Sequence, residues 1–295
     1  MEAIKEMYTV ANEGVLTFYY DSNKSLRKGT GIPYSYNGNK NDYLSPNREY
    51  NIKTVIFDES FKDARPLSCE QWFSGFISLT KIEGITNLNT SEVTDMYRMF
   101  NGCRSLANLD LSNFDTSKVT NMYEMFRECE ELQNLDLSNF DTSNVNDMSS
   151  MFHGCGKLQN LDLSNFNTSK VRSMGKMFAS CYSLTNLDLN NFDTSNVNDM
   201  NYMFYECYNM KKINVESFNT SKVFSMYRMF CGCEKIKKLD LSNFILTKVN
   251  VRSMFEDCKN LIELNIGSLF HHTPDSDYIF EDCKKLKRIN IGKND

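Results

Sequence analysis

The string "LDLSNFDTSKVTNMYEMF" begins at Leu109 and returns as "LDLSNFDTSNVNDMSSMF" from Leu135 and "LDLSNFNTSKVRSMGKMF" from Leu161. Cysteines mark the period. Cys103, Cys129, Cys155, Cys181 and Cys207 stand 26 residues apart, and the steps onward to Cys233, Cys258 and Cys283 are 26, 25 and 25. Self-similarity at this period means stacked coils. One such unit cannot bury its own apolar side, and each coil covers the face of its neighbour. The chain of 295 residues is 41% hydrophobic, enough to fill one continuous interior with repeated plugs.

Within a unit, Leu109 and Leu111 alternate with Asp110, which is strand periodicity. Val119, Met122, Met125, Phe126 and Cys129 recur every three or four residues, which predicts a helix of about three turns. Thr116 or Ser117 is the expected N-cap. The fold class expected is therefore α/β: a solenoid with a parallel β-sheet on one face and short helices on the other. About ten rungs at roughly 4.8 Å would make that sheet on the order of 45 Å long. Residues 1–48 do not repeat and read as an N-terminal cap with short β-strands. Residues 49–295 carry about nine to ten repeats of 25–27 residues.

The string "LDLSNFDTSNVNDMSSMFHGC" resembles the BspA-type leucine-rich-repeat family of bacterial surface proteins. "VIFDESFKDARPLSCEQWFSGF", "IEGITNLNTSEVTDMYRMF" and "LTFYYD" are similar to that family's lead-in and opening segments. The resemblance implies a right-handed leucine-rich-repeat-like solenoid. It also implies a cell-surface adhesin that binds host matrix proteins or other cells. It brings no catalytic motif and no binding residues with it.

The repeated columns supply the candidate sites. The cysteine column reads as buried core thiols rather than disulfides or metal ligands, with Cys231 or Cys69 the expected exposed thiol. The methionine stripe, Met122/Met125 and its equivalents, reads as core filler rather than a copper site. Asp110, Asp136, Asp162 and Asp188 point outward between the leucines. Stacked carboxylates repel, so their pKa values are expected to rise. That column reads either as a strip for a cation or basic ligand or as a solvated sheet face. Lys212 and Lys238 turn the adjoining column basic. Asn113, Asn139, Asn165, Asn191 and Asn243 read as a structural ladder that satisfies turn backbone groups. At one outward position Tyr97, Tyr123 and Tyr227 alternate with Ser149, Gly175 and Asn201, and Tyr202, Tyr205 and Tyr208 crowd nearby with Tyr182. Exposed tyrosines favour protein interfaces. The binding residues expected are thus the four aspartates, the two lysines and Tyr202, Tyr205 and Tyr208.

The net charge of -5 gives no electrostatic footprint for nucleic acid, and no apolar run reaches the roughly 18 residues of a membrane span. The start, "MEAIKEMYTV", lacks the apolar region of a signal peptide. "GTG" at Gly29 lacks the lysine and context of a phosphate loop, and "HHTPDSD" reads as a surface loop. No cofactor, metal or catalytic constellation is expected. The chain reads as a monomeric, non-enzymatic scaffold for a protein ligand: a host matrix or cell-surface protein, or a bacterial partner. Two readings follow. One is the surface or secreted adhesin. The other is an intracellular protein-interaction module such as an inhibitor or immunity protein.

Overall fold

The computed structural model describes residues 4–32, 51–247, 249–267 and 278–292. The chain is a solenoid of stacked coils with parallel pairing between successive turns. Its main backbone-to-backbone column is not where the leucines predict it. It runs through the "TNMYEMFREC" segments, which are not helical.

Those segments are chains of tight turns. In the coil Met96–Cys103, the N–H groups of Met96, Arg98, Phe100 and Gly102 donate to the carbonyls of Asn121, Tyr123, Met125 and Arg127 in the following coil, at 3.1, 3.0, 2.9 and 2.7 Å. The intervening N–H groups stay within the coil. Met99, Asn101 and Cys103 donate to Met96, Arg98 and Phe100, and Tyr97 donates to Asp95 Oδ1 at 2.8 Å. Two residues per coil are left-handed, Arg98 at φ 52° and Gly102 at φ 73° in this one. A positive φ at the third residue is what a type II turn requires. An α-helix would instead bond each N–H to the carbonyl four residues back and admit no left-handed residue. The expected helices are thus replaced by successive turns. These point every third or fourth side chain inward, so they reproduce the apolar spacing of a helix. Met96, Met99, Phe100 and Cys103 are fully buried. Parallel bridges link Ser68, Asp95, Asn121, Asp147, Ser173, Asp199, Ser225 and Asn250 without interruption.

On the leucine side, pairing is regular only towards the ends. β1 (Glu6–Asn12) and β2 (Val15–Asp21) form a hairpin, and α1 (Lys24–Arg27) leads to β3 (Thr30–Gly31). β4 (Thr54–Phe57) and β5 (Lys81–Glu83) complete a five-stranded sheet of order β3-β1-β2-β4-β5, in which β2 runs parallel to β4. β6 (Asn186–Asp188) pairs with β7 (Lys212–Asn214), and β8 (Lys238–Leu241), β9 (Glu263–Ile266) and β10 (Arg288–Ile291) form a third sheet. The segments at Leu109–Leu111, Leu135–Leu137 and Leu161–Leu163 are extended without strand pairing. Backbone contacts beside them reach 3.5 Å, as from Gln133 N–H to Ala107. Side chains also hold the coils together.

Three polar ladders do this. Asn139 Nδ2 donates to the carbonyls of Leu111 and Phe114 in the preceding coil, at 3.0 and 2.7 Å. Asn113, Asn165, Asn191 and Asn243 repeat the pattern. Thr142, 1% exposed, donates to the Asn167 carbonyl and accepts from the Asn167 N–H. Thr116 does the same with Asp141, so it is an inter-coil bridge and not a helix cap. Each cysteine of the column donates its S–H to the carbonyl of a core phenylalanine one coil back, as Cys129 does to Phe100 at 3.2 Å.

The phenylalanines form the spine. Phe126 stacks on Phe152 at 5.9 Å and Phe152 on Phe178 at 5.7 Å, with rings 7° and 10° from parallel. The row extends from Phe73 to Phe280. At the N-terminal end Phe18 of the hairpin packs on Phe57, Trp72 and Phe73, so the first coil meets an aromatic cluster rather than water.

Removing a ring from this spine leaves a cavity that both neighbouring coils are too constrained to fill. Phe152→Ala is expected to cost about 3–5 kcal/mol. Thr142→Val keeps the shape and deletes two buried hydrogen bonds, for about 1–3 kcal/mol. Urea denaturation of each variant measures both. An unchanged midpoint for Phe152→Ala is incompatible with an interior ring.

Candidate functional site

The outward residues of the turn segments decide what the solenoid presents. Each "MxxMF" contributes one outward residue after the first methionine. Tyr97 and Tyr123 occupy this position in successive coils and stack at 5.5 Å. Ser149 and Gly175 follow, then Asn201, then Tyr227. The missing side chains open a shallow groove of about 670 Å³ lined by five coils. Tyr123 stands at one end and Tyr202 at the other, with Ser149 and Gly175 between them.

One rim of the groove is the bridge column. Asp147 and Asp199 each spend one carboxylate oxygen on a backbone N–H two residues ahead, at 2.8 and 2.9 Å. A Cβ on Gly175 would lie 3.1 Å from the other oxygen of Asp199, Oδ2, so that oxygen faces the notch. The opposite rim is basic. Arg98 binds the buried carboxylate of Glu124 at 2.5 Å, and Arg127 binds Glu128 at 2.5 Å. Lys176 lies over the Tyr202 ring at 5.3 Å. His153 is half-buried at the floor, and its Nδ1 is enclosed without a hydrogen-bond partner. Burial, reinforced by Arg127 and Lys176, lowers its pKa and keeps the ring neutral.

The tyrosines form a shelf beside the groove. Tyr202 meets Tyr205 and Tyr227 edge-on at 5.3 and 5.0 Å. Tyr208 stacks on Tyr182 at 5.3 Å. Tyr202 alone of the three expected tyrosines lines the groove.

The aspartate column lies elsewhere, on the leucine side of the coil, away from these tyrosines. Asp110, Asp136 and Asp162 are exposed, and each accepts the backbone N–H two residues on, at 3.0, 3.0 and 2.9 Å. Asp188 does so with Asn190 at 3.1 Å. At Asp110, Asp136 and Asp162 the rise expected from carboxylate repulsion does not occur. The backbone N–H and the following serine hydroxyl hold Asp110, Asp136 and Asp162 below the ordinary carboxylate value. In water, repulsion between exposed charges at this spacing is weak beside a direct hydrogen bond to the charged form. Lys212 and Lys238 are also exposed on this side, and Lys238 pairs with Glu263 at 2.9 Å.

All ten cysteines are free thiols. Cys69 and Cys231 are buried, at 0% and 5% exposure. The partly exposed thiol is instead Cys283, in the last coil. Burial pushes Cys155 and Cys207 up to about 12. The methionine stripe is core. Among the described residues no three His, Cys, Asp or Glu side chains gather as a metal site, and no helix is long and apolar enough to cross a membrane. "HHTPDSD" lies outside the described residues.

The groove's tyrosine-for-small-residue exchange was visible in the sequence. Its rims were not, because Asp147, Asp199, Lys176 and Arg127 come together only through the turn-chain backbone.

Fold and surface together define a solenoid repeat protein with a buried apolar interior and a groove open on its turn face. Residues 67–186 and 176–293 match the model of a family described as "Mycoplasma protein of unknown function, DUF285", and the chain belongs to that family. Comparison with curated proteins finds no match. Three solved structures are similar at 14% identity each. A leucine rich cell surface protein from Faecalibacterium prausnitzii A2-165 has a TM-score of 0.34, covering 100% of this chain and 94% of that one. A leucine-rich repeat protein from Bacteroides ovatus ATCC 8483 has a TM-score of 0.36, covering 99% and 70%. The leucine rich repeat protein of T. pallidum has a TM-score of 0.30, covering 97% and 90%.

Two measurements follow from the titrations. A carboxylate whose pKa is lowered by folding adds stability that is complete above its ordinary value of 3.8 and is lost as pH falls through the lowered value. Replacing Asp110, Asp136 and Asp162 together by Asn is therefore expected to flatten the fall in melting temperature between about pH 5 and pH 2. Iodoacetamide at pH 8 is expected to label Cys283 alone in the native protein, because a buried, protonated thiol is not a nucleophile. Mass spectrometry reads the label, and rapid native labelling of Cys155 or Cys207 contradicts their burial.

Proposed function

We propose that this protein is a non-enzymatic scaffold that binds another macromolecule through its turn face, with the Tyr123–Tyr202 groove as the contact. The observation that carries this reading is the interruption of the tyrosine position at Ser149 and Gly175. At Tyr97, Tyr123 and Tyr227 the same position carries an aromatic side chain. At Ser149 and Gly175 the outer wall opens among polar groups with hydrogen-bonding capacity to spare. Tyr205, Tyr208 and Tyr182 extend the contact surface, and tyrosine gives large contact area at little conformational cost. The leucine-side column of Asp110, Asp136, Asp162 and Asp188 with Lys212 and Lys238 is a secondary candidate surface. Residues 1–48 serve as the N-terminal cap of a monomeric solenoid spanning 49–295.

The finer reading is an adhesin at the cell surface that holds host matrix proteins or other cells. It rests on the likeness of the "LDLSNFDTSNVNDMSSMFHGC" repeats to BspA-type surface proteins. The intracellular inhibitor or immunity module is supported by a different observation, ten free cysteines, since reducing compartments preserve thiols.

Solid-phase binding tests the scaffold reading. Immobilised extracellular-matrix proteins and whole host cells are expected to capture the wild-type chain saturably. Gly175→Tyr restores the side chain that other coils carry and is expected to weaken capture about tenfold or more without lowering the melting temperature. Capture unaffected by Gly175→Tyr removes the groove from the reading, and no saturable capture by either ligand removes the adhesin.

A further inference from the structure

We infer that the groove between Tyr123 and Tyr202 is a saccharide site that takes a short stretch of neutral oligosaccharide. The inference rests on the binding-scaffold reading above and names the ligand class of that same groove.

The walls come first. Tyr123 and Tyr202 stand three coils apart, and the coils step by 5.9, 5.7 and 5.6 Å along the phenylalanine spine. Ser149 and Gly175 leave the two intervening coils low. An aromatic face carries negative charge density and attracts the positive edge of a C–H group. Lys176 covers the Tyr202 ring, so the axial C–H face of a pyranose ring matches the Tyr123 wall, and its hydroxyl rim then turns towards the rims of the groove and the Lys176 ammonium.

Those rims offer both kinds of partner. Among the described residues the Oδ2 atoms of Asp147 and Asp199 accept no hydrogen bond, and the Lys176 ammonium lies over the Tyr202 ring without a carboxylate partner. A hydroxyl donates one hydrogen bond and accepts others. A polyhydroxylated ligand therefore uses the acidic and basic rims together.

The backbone argues against an extended peptide. A peptide that adds to a sheet needs a free main-chain edge. Here the carbonyls of Ser149 and Gly175 already accept from Glu124 and Ser150, and the Lys176 N–H already donates to Asn201. The coil-to-coil ladder has consumed the edge that such a peptide would pair with.

Charge selects among saccharides. Three basic side chains of the lining, Arg98, Arg127 and Lys176, are balanced by Glu124, Asp147 and Asp199. Both arginines are already ion-paired. The site therefore has no surplus positive field for a sulfated or uronic-acid polymer.

The test is an array of immobilised neutral oligosaccharides, linear hexasaccharides of glucose, galactose, mannose and N-acetylglucosamine, read with labelled full-length chain. At least one series is expected to bind saturably and to compete with free sugar. Gly175→Tyr and Tyr123→Ala are each expected to weaken that binding about tenfold or more while melting as the wild type does. Binding that both variants retain overturns the inference. So does an array without binding when matrix proteins are captured equally before and after enzymatic deglycosylation, and that result leaves the scaffold reading standing on a peptide partner. If neither sugars, matrix proteins nor cells are bound, both fall together.

Discussion

The structure depends on hydrogen bonds that run along the solenoid axis from the turn segments of one coil to those of the next. In each coil between Cys69 and Gly232 four alternate N–H groups, such as those of Met96, Arg98, Phe100 and Gly102, point at the following coil, while the groups between them close local turns. The arrangement satisfies the backbone without a helix or a wide strand. It also forces left-handed conformations on side chains that ordinarily avoid them. Arg98, Glu124, Ser150, Lys176, Tyr202 and Arg228 have φ between 52° and 58°. Such residues cost on the order of 1 kcal/mol each and persist only where their surroundings over-determine them. Here the surroundings are a coil above and a coil below, each making the same bonds.

The core is polar where it has to be. A buried carbonyl without a partner costs about 1–3 kcal/mol, and a coil of tight turns leaves many carbonyls facing inward. Asparagine, threonine and cysteine each take one class of them. The cysteine column is therefore more than apolar filling. Its S–H groups donate to the phenylalanine carbonyls of the preceding coil, as Cys181 does to Phe152 at 3.1 Å. Burial and the bond together keep these thiols protonated, so a cysteine-rich chain presents little thiolate to solvent.

Because every coil makes the same internal bonds, the outward positions are free to differ. The turn face uses that freedom at Ser149 and Gly175, and the groove results. The leucine side uses it differently. Its aspartates hold their own backbone turns, as Asp136 does with Ser138. A carboxylate column that looks like a ligand strip is thus largely occupied by local structure. The two faces share a scaffold but not a chemistry.

By itself the sequence determined the period, the stacking and the identity of the plugs. Those follow from which residues must leave water, and that information is local and repeated. It also determined the asparagine ladder, since an amide before each inward phenylalanine has few other uses, although the bonds run to the preceding coil rather than the next. Three features were decided only in the tertiary structure. The turn chain carries the apolar spacing of a helix, and the first left-handed residue of each coil is a side chain such as Arg98, Glu124, Lys176 or Tyr202, with glycine taking only some of the second positions, as at Gly102 and Gly154, so the apolar pattern does not separate the two. The sheet fades beside Leu109–Leu163, although side-chain ladders join these coils and the paired ones alike, as Thr194 does with Asn219 beside β6 and β7. The groove exists because the turn geometry brings Asp147, Lys176 and Asp199 around the gap at Gly175, a meeting of three coils that no single repeat encodes.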